Sequence, residues 1–511
     1  MISKLLHPFR RKTPADPFVG LVERYCRRIR KYRRLSLPDF LATKVGVLIA
    51  PWQKTAVPFY LIEWAICLRR NGLDVEFIWD VWPNETGIST SEENGILLTL
   101  EAAETAFGIR TFRLPGIGLS GTKETTTRVS PRLALLAFET VTRNRGREPQ
   151  LGDPDVIGEE QRLRAHAQRV EGTIAQKRYS WILVPGGVWS VSGVYWDICE
   201  TLGIGLTTFD SGPGLLCFQH GGPAAHFPDL NSSMQMLAKK FLKNESVRRK
   251  IEEWVEERLS IRRKGEDEFR LQPQGETSAQ KPTDIVVPLN YRLDTAAMCR
   301  QRLFPSVNEW MRALVNWAQS HPDTSIVFRQ HPCEKIPAYR SKEDYSWISE
   351  RSSPNIRFIA AEDSVNTYDL LASCRVVLPY SSRVGIEGGV FGKSVVLAAH
   401  AYYENMAFVQ VASSKEEYFD LIVASLKGPP VQTFEERCSA YAAYYVAENF
   451  GLHKTAFTPI PSDFETWVNQ DPALLWTKDN ASIFLKAAIS RKPVADLLVE
   501  TLLRQSEDSK C

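Results

Sequence analysis

Short apolar runs alternate with longer amphipathic stretches along the first half of the chain. The run Lys44–Ala50 (KVGVLIA) is apolar almost throughout, which predicts a buried strand. A helical pattern over Leu61–Arg70 ends at Asn71-Gly72, and a second apolar run covers Asp74–Trp79. This strand–helix–strand rhythm predicts the opening of a doubly wound α/β domain. The rhythm returns with a strand at Trp181–Val184, a helix at Ser190–Leu202 and a strand at Leu206–Asp210.

A polar segment separates this half from a second series of the same kind. Residues Asn231–Arg263 are predicted to be helical and charged, and Gly265–Pro282 (GEDEFRLQPQGETSAQKP) contains few apolar residues, as linkers do. The second series of predicted strands and helices covers Asp284–Leu289, Val307–Ser320, Thr324–Arg329, Ile356–Ile359, Thr367–Ala372 and Arg375–Ala399. Two alternating halves around one linker predict two facing Rossmann-like domains with a cleft between them.

The length of 511 residues fits two or three domains. The predicted regions are a basic segment at 1–37, a Rossmann-like domain at 38–264, a linker at 265–282, a second Rossmann-like domain at 283–415, and a helical region at 416–511. We expect the last region to pack back on the cleft, with a helix around Tyr441–Phe450 crossing it.

Composition narrows the class of protein. Hydrophobic residues make up 43% and charged residues 24% of the chain, which is typical of globular proteins, and a net charge of +3 gives no argument for nucleic acid as a partner. The nine cysteines form no CxxC pair, which favours a reducing compartment and indicates neither disulfides nor a zinc site. No apolar run reaches the roughly 18 residues of a membrane span. We therefore expect a cytoplasmic protein.

The first 37 residues are strongly basic. Their lysines and arginines are opposed only by Asp16 and Glu23, and apolar residues such as Phe18, Val22 and Ile29 recur at helical spacing. One interpretation is a short amphipathic helix that holds the protein at anionic lipid headgroups on the inner membrane face, with about 1 kcal/mol from each basic side chain. The other is a solvated basic tail.

The segment Arg375–Ala399 (RVVLPYSSRVGIEGGVFGKSVVLAA) carries the first candidate chemistry. A short strand leads to a turn with Ser381 and Ser382, then to a glycine-spaced helix with Glu387, and then to a second strand. The first N–H groups of a helix have no intrahelical partner and point at the preceding turn, so this pattern predicts an anion site. The alternatives are an ordinary helix cap at the serines and close helix packing at the glycines.

A second motif precedes the first by about fifty residues. Arg329-Gln330-His331-Pro332 ends a predicted strand, and ligands of doubly wound sheets bind at the carboxyl ends of strands. His331 could donate to a phosphate oxygen, Pro332 would stiffen the exit of the strand, and Glu387 could accept hydrogen bonds from ribose hydroxyls. A locally satisfied histidine at a strand end is the alternative for His331 alone.

The two motifs resemble those of a known family. The HP pair and the SS pair are similar to those of GT-B glycosyltransferases that use CMP-activated acidic sugars, including bacterial sialyltransferases. The run Ser381–Val396 (SSxxGxEGxxxGKxVV) more closely resembles capsule polysaccharide biosynthesis proteins, among them Kdo transferases of capsule lipid anchors. The resemblance spans about residues 180–400. It implies a GT-B-like fold in which His331, Ser381 and Ser382 hold the CMP phosphate.

The first domain should then bind the acceptor and supply a carboxylate. Asp210 follows a predicted strand and precedes a glycine-rich turn, and the family resemblance suggests an acidic residue at a comparable point. We therefore predict that Asp210 is the general base or nucleophile, with a capping aspartate as the alternative. Further candidates for acceptor or sugar binding are Gly186, Gly187, His220 and His226.

The Asp153-Pro154-Asp155 sequence matches the DxD motif of metal-dependent transferases. It precedes a polar helical pattern, so we interpret Asp153 as a helix cap and predict no metal site. We also expect no cofactor beyond the CMP-sugar donor. The predicted function is transfer of an acidic sugar from a CMP-activated donor to a surface polysaccharide or lipid-linked acceptor. Kdo is favoured over sialic acid as the sugar. The alternatives are a CDP-polyol phosphate transferase of the same scaffold and a non-catalytic nucleotide- or glycan-binding component of polysaccharide export.

Overall fold

The computed structural model describes eleven stretches of the chain. They are residues 16–31, 43–52, 54–81, 89–114, 130–212, 215–273, 282–350, 353–428, 432–454, 464–469 and 478–508.

The strands, in chain order, are β1 Lys44–Ile49, β2 Asp74–Trp79, β3 Arg110–Arg113, β4 Trp181–Pro185, β5 Gly205–Gly212, β6 Leu215–His220, β7 Ile285–Pro288, β8 Ile326–Arg329, β9 Ile356–Ile359, β10 Val376–Val377, β11 Ser394–Leu397, β12 Val409–Val411 and β13 His453–Lys454. They form a seven-stranded sheet in the order β13-β6-β5-β4-β1-β2-β3 and a six-stranded sheet in the order β12-β11-β10-β7-β8-β9. The second sheet is parallel throughout, and the first is parallel from β3 to β5, with β6 antiparallel to β5.

The α-helices are α1 Pro17–Lys31, α2 Val57–Arg70, α3 Thr90–Phe107, α4 Pro131–Arg145, α5 Pro154–Ile174, α6 Ser190–Leu202, α7 Leu230–Lys243, α8 Glu245–Arg263, α9 Val307–Gln319, α10 Ser346–Glu350, α11 Thr367–Ser373, α12 Val384–Val390, α13 Lys415–Ser425, α14 Phe434–Phe450, α15 Phe464–Asn469, α16 Lys478–Ser490 and α17 Val494–Asp508. Short 3-10 helices cover Ala224–His226, Thr295–Ala297, Pro332–Lys335 and Pro337–Tyr339. No helix among the described residues has the length and apolar character that a membrane crossing requires.

The predicted fold class is confirmed: the protein is α/β, with two Rossmann-like, GT-B-like halves that face each other. Some helices and strands begin or end at other residues than predicted. Helix α2, predicted from Leu61, begins at Val57, because Pro58 fits the first turn, where its missing N–H is not needed. The short strand before the serine turn is β10, Val376–Val377, and the backbone N–H of Leu378 still donates a 2.9 Å hydrogen bond to the Val286 carbonyl of β7.

The amphipathic helix of the basic N-terminus forms as α1, but its apolar face is already covered. Phe18, Val22, Tyr25 and Ile29 belong to the hydrophobic core of the first sheet and are 6% exposed or less. The Nη2 atom of Arg28 lies 3.3 Å from a carboxylate oxygen of the buried Glu63 in α2. The apolar side chains that were predicted to contact lipid therefore pack inside the protein.

Helices α7 and α8 pack with the second sheet, although the sequence pattern assigns residues 230–263 to the domain at 38–264. Leu237, Phe241, Ile251 and Leu259 share one core with β7, β8, β10 and β11. Helix α14 packs on α7 and α12, and after it β13 joins the first sheet beside β6. Phe464 of α15 stacks on Phe59 with ring centroids 4.2 Å apart. The C-terminal region thus returns to the first half.

A buried ionic network joins the two halves along helix α4. Arg292, which follows β7, lies 3.0 Å from a carboxylate oxygen of Glu139 in α4 and 2.8 Å from one of Glu148. These three side chains are 2–3% exposed. Glu148 also accepts hydrogen bonds from the backbone N–H groups of Val307 and Asn308, 3.0 Å each, at the start of α9. The network fixes α4 against the carboxyl edge of the second sheet.

Candidate functional site

The second sheet has its topological switch point between β7 and β10. The chain proceeds from β7 to β8 and β9 on one side and then returns to β10, β11 and β12 on the other. Crevices outside the carboxyl ends of strands at such points are the usual ligand sites of open α/β sheets. Here the Ser381 backbone N–H donates to Oδ1 of Asn290 over 3.3 Å, which joins the loops that follow β10 and β7. His331 follows β8, so the strand ends that carry His331 and Ser381 are roughly 10 Å apart.

The first N–H groups of α12 bond within the turn, Gly385 to the Ser382 carbonyl and Ile386 to the Arg383 carbonyl, so an anion would depend on the serine side chains. Both Ser381 and Ser382 are 7% exposed. The Oγ atom of Ser381 is buried and has no hydrogen-bond partner among the described residues, a costly arrangement unless a ligand supplies one. The Oγ atom of Ser382 accepts a hydrogen bond from the Val384 backbone N–H, and Tyr403 donates its hydroxyl to the Ser382 carbonyl. Ser382 is thus a helix cap, and Ser381 is the hydroxyl available to a ligand.

The glycines of α12 serve close packing. A Cβ atom at Gly388 would lie 3.0 Å from Val377 in β10, and one at Gly385 or Gly389 would overlap the rings of Tyr403 or Phe408. These contacts bring the helix against the strand and place the serine turn at the edge of the sheet. The alternative interpretation of the glycines is therefore confirmed for this helix.

His331 is a neutral hydrogen-bond donor at the same edge. Its Nδ1 atom accepts a 3.2 Å hydrogen bond from the Cys333 backbone N–H, which caps the 3-10 helix that begins at the buried Pro332. Burial and the neighbouring Arg329 lower the pKa of His331 to about 4. Because Nδ1 accepts and the ring is uncharged near neutrality, the proton resides on Nε2. The ring can therefore donate one hydrogen bond to an anion.

Glu387 lies in a buried charge network beneath the serine turn. Its Oε1 atom is 3.4 Å from Arg262 of α8 and accepts a 3.3 Å hydrogen bond from the Tyr368 hydroxyl. Burial raises the pKa of Glu387, while Arg262 and Arg383 act in the other direction. Arg262 and Arg383 also pair with Glu448 of α14. The network connects α14 to the residue after Ser382, and the assignment of Glu387 to a ribose stays a prediction.

Asp210 lies at the carboxyl edge of the first sheet. The parallel ladder between β4 and β5 ends at the pair Pro185 and Phe209, so Asp210 is the first residue beyond it, and it is exposed. The sequence pattern did not predict that β5 continues into an antiparallel hairpin with β6, in which Asp210 pairs with Cys217. The carboxylate is therefore held on a strand, at the edge where a ligand of this half would bind.

Arg143 is the residue that the sequence reasoning missed. It lies in the last turn of α4 with its guanidinium 4.1 Å from the centroid of the Trp189 ring. Burial lowers the pKa of Arg143, and the Asp210 carboxylate partly offsets this. Tyr291 follows Asn290 in the second half, and burial together with Cys333 and Glu334 raises its pKa. Arg143 thus adds a positive charge near Asp210 at the carboxyl edge of the first sheet.

The remaining candidates of the first half lie in three different environments. Gly187 has φ +97° and fits against Pro223, whose Cα would lie 2.9 Å from an added Cβ, while Gly186 has φ +62° and its Cα faces open space. The close approach at Gly187 is therefore made by Pro223. His220 is buried, contacts Thr207 Oγ1 at 2.9 Å, and has a pKa lowered to about 3 by burial and by Arg491. The C-terminal residues around Arg491 cover it, contrary to its predicted place at a ligand.

His226 lies between the halves. One ring nitrogen is 2.9 Å from the Met298 carbonyl of the second half, and its own carbonyl accepts a 2.9 Å hydrogen bond from Arg300. Burial lowers its pKa well below the usual value, so the ring is neutral. It lines a cavity of about 480 Å³ at the boundary of the two halves.

Asp153 is a helix cap, as predicted. Its carboxylate accepts a 3.0 Å hydrogen bond from the Asp155 backbone N–H and pairs with Arg145. Within the part of the chain that the structure describes, no group of three or more His, Cys, Asp or Glu residues could hold a metal ion.

Comparison with known proteins gives structural neighbours only. No protein-family model and no curated protein matches the chain. Two KpsC proteins of Thermosulfurimonas dismutans align with it: the beta Kdo 2,4 transferase at 14% identity over 54% of this chain and 82% of its own (TM-score 0.34), and the beta Kdo 2,7 transferase at 17% identity over 54% and 80% (TM-score 0.29). WaaG, a glycosyltransferase involved in lipopolysaccharide biosynthesis, aligns at 12% identity over 83% and 98% (TM-score 0.28). Because these TM-scores are low, they support no functional argument, and a proposed function depends on the geometry of the chain itself.

Proposed function

We propose that the protein is a glycosyltransferase that transfers an acidic sugar, Kdo or a related sugar, from a CMP-activated donor to a surface polysaccharide or glycolipid. The second half would bind the CMP moiety through His331 and the serine turn, and the first half would present the acceptor beside Asp210. The observation that carries the proposal is the serine turn at the switch point of the second sheet, where the buried Oγ atom of Ser381 has no hydrogen-bond partner among the described residues.

The residues at this place suit a glycosyl transfer. The acceptor hydroxyl oxygen forms a bond to the anomeric carbon of the donor while the bond from that carbon to the phosphate oxygen breaks. CMP leaves with the bonding electron pair, and Asp210 accepts the proton of the hydroxyl. His331 and Ser381 donate hydrogen bonds to the phosphate, on which negative charge grows as the bond breaks. The guanidinium of Arg143 would add a positive charge near Asp210.

A donor panel tests the proposal. We expect calorimetric titration to show binding of CMP-Kdo or CMP-sialic acid in the micromolar range, since three or four hydrogen bonds to a charged group contribute about 1.5–3 kcal/mol each before association costs. CDP-glycerol should bind more weakly. Tight binding of CDP-glycerol alone would instead favour a polyol phosphate transferase. Donor binding without CMP release in the presence of glycan acceptors would favour a non-catalytic role.

The basic face of α1 supports a proposed peripheral contact with anionic membranes. Arg24, Arg27 and Arg30 are exposed on this helix, with only 3.9 Å ion pairs to Glu465 and Glu23 for the first two. Since the apolar face packs in the core, the contact would depend on charge alone. Changing all three arginines to glutamine should weaken binding to phosphatidylglycerol-containing vesicles roughly hundredfold, at about 1 kcal/mol each.

Two controls accompany the vesicle measurement. Vesicles of phosphatidylcholine alone should bind neither form, and raised salt should release the wild type, because exposed charges are screened. Wild-type binding that survives high salt, or a triple variant that binds as well as wild type, would contradict this contact.

A further inference from the structure

The cavity that His226 lines lies on the β11 side of the serine turn. Its walls come from the start of α4, from α6, from the loop after β6, and from the loops after β7 and β11. Its volume of about 480 Å³ is within the range of roughly 300–1,000 Å³ found for small-molecule sites. Polar and aromatic side chains on these walls include Arg132, Trp196, Arg300, Tyr402 and Glu404.

The cavity is separate from the proposed CMP site. Arg132 lines the cavity and Arg143 lies at the donor site, and these two residues are on one face of α4, roughly 16 Å apart at 1.5 Å per residue. Between them, on the same face, Glu139 makes its buried ion pair with Arg292. Neither His331 nor a serine of the turn lines the cavity.

Arg300 is the buried cation of the cavity wall that makes no direct ion pair with a described residue. It is 8% exposed, and its Nε and Nη2 atoms donate only to carbonyls, those of Ala296 (3.3 Å) and His226 (2.9 Å). No ion pair within 4 Å joins it to a described carboxylate, and burial lowers its pKa to about 10, an effect that the more distant Glu404 offsets only in part. Its neighbour Cys299 has φ +54°, an uncommon backbone conformation for a non-glycine residue. A buried guanidinium at a cavity wall is costly unless an anion pairs with it.

The other charges around the cavity have partners. Arg132 lies with its guanidinium 3.9 Å from the Trp196 ring centroid and pairs with the exposed Glu200. Glu404 is 3.1 Å from His400 and 3.7 Å from Arg302. Arg300 is therefore the cation at this wall that a ligand would neutralise.

We propose that this cavity binds an anionic sugar or polyol, whose carboxylate or phosphate pairs with Arg300. The fork of the guanidinium matches either anion. The hydroxyl-bearing part of the ligand would lie among Trp196, Tyr402 and the backbone of Gly221 and Gly222. This second site does not depend on the proposed donor, and it would remain if the donor were a different nucleotide.

Calorimetry of the full chain tests the site with four probes. D-glucuronate and glycerol 3-phosphate carry the two anions, and D-glucose and glycerol are their neutral counterparts. We expect at least one anionic probe to bind ten or more times tighter than its neutral counterpart, with the same affinity in the presence of saturating CMP. The anionic probe that binds more tightly shows whether the site prefers a carboxylate-bearing sugar or a phosphate-bearing polyol. Equal binding of charged and neutral probes, or displacement by CMP, overturns the proposal.

Substitutions of Arg300 test whether its side chain binds the anion. Arg300→Gln should weaken the anionic probe at least tenfold, whereas Arg340→Gln, which removes an exposed arginine whose partner Glu362 does not line the cavity, should leave it within twofold. If Arg300→Gln fails to give a cooperative melting transition, Arg300→Lys takes its place, because it keeps the charge and loses the fork, and affinity should still fall several-fold. Unchanged affinity in the folded Arg300 variant, or an equal loss in Arg340→Gln, rules out the site. His331→Ala should bind the probe as wild type does, even if it no longer binds CMP.

Discussion

Replacing Arg292 with methionine is expected to lower the free energy of unfolding by about 3–5 kcal/mol. The substitution removes the cation that Glu139 and Glu148 share and leaves two buried carboxylates without it. Glu148 would keep its hydrogen bonds from the start of α9, but no positive charge would offset its burial. The measurement is urea unfolding followed by fluorescence, with the first transition as the readout, since the network holds the two halves together.

An exposed ion pair of the second half provides the matched control. Arg340 pairs with Glu362, and these side chains are 53% and 55% exposed. Arg340→Met removes an arginine in the same way but from a solvated pair, so the free energy of unfolding should change by about 1 kcal/mol or less. Equal effects of the two substitutions would show that the network between the halves does not stabilise the protein.

Asp210→Asn should reduce sugar transfer by about 10²–10⁴-fold while leaving the affinity for CMP within twofold. The amide keeps the size of the side chain but cannot accept a proton from the acceptor hydroxyl. Asp210 is exposed on β5 but its charge offsets the burial of Arg143, so the melting temperature is measured as well, and a folded Asp210→Asn variant is required. Transfer is measured as CMP released from CMP-Kdo in the presence of an acceptor glycan.

The matched control for this substitution is another exposed aspartate. Asp197 of α6 is unsuitable, because it is buried and its carboxylate is engaged by Ser130. Asp323, in the turn before β8, is exposed and far from Asp210 along the chain, and Asp323→Asn should transfer at the wild-type rate. If Asp210→Asn transfers sugar as fast as Asp323→Asn, the base is another residue and the assignment of Asp210 is wrong.

Local patterns predicted the strands and helices well because they depend on near neighbours in the sequence. The strands Asp74–Trp79 and Ile356–Ile359 and the helix Ser190–Leu202 have the predicted bounds. The patterns could not predict what the apolar face of each helix packs against. The amphipathic spacing in α1 suits a lipid surface and a protein core equally, and here Phe18 and its neighbours contact the core.

The candidate site shows the same limit. His331 and Ser381 follow strands of one parallel sheet, so their common edge could be predicted from the order of the elements. Arg143 could not, since its interaction is with Asp210, which is 67 residues further along the chain. His220 and His226 are six residues apart, and only the packing of the C-terminal helices separates a covered histidine from one at a cavity.

The central claim is that His331 and Ser381 bind one phosphate, and a double-mutant cycle on CMP affinity tests it most directly. His331→Ala and Ser381→Ala should each weaken CMP binding by about 1.5–3 kcal/mol, roughly ten- to hundredfold. Because the Ser381 hydroxyl has no partner among the described residues, its removal should not lower the melting temperature. The double variant should lose less than the sum of the two, with a coupling energy of about 0.5 kcal/mol or more. CMP affinity that is unchanged in both single variants, or strictly additive losses, would contradict a shared phosphate site.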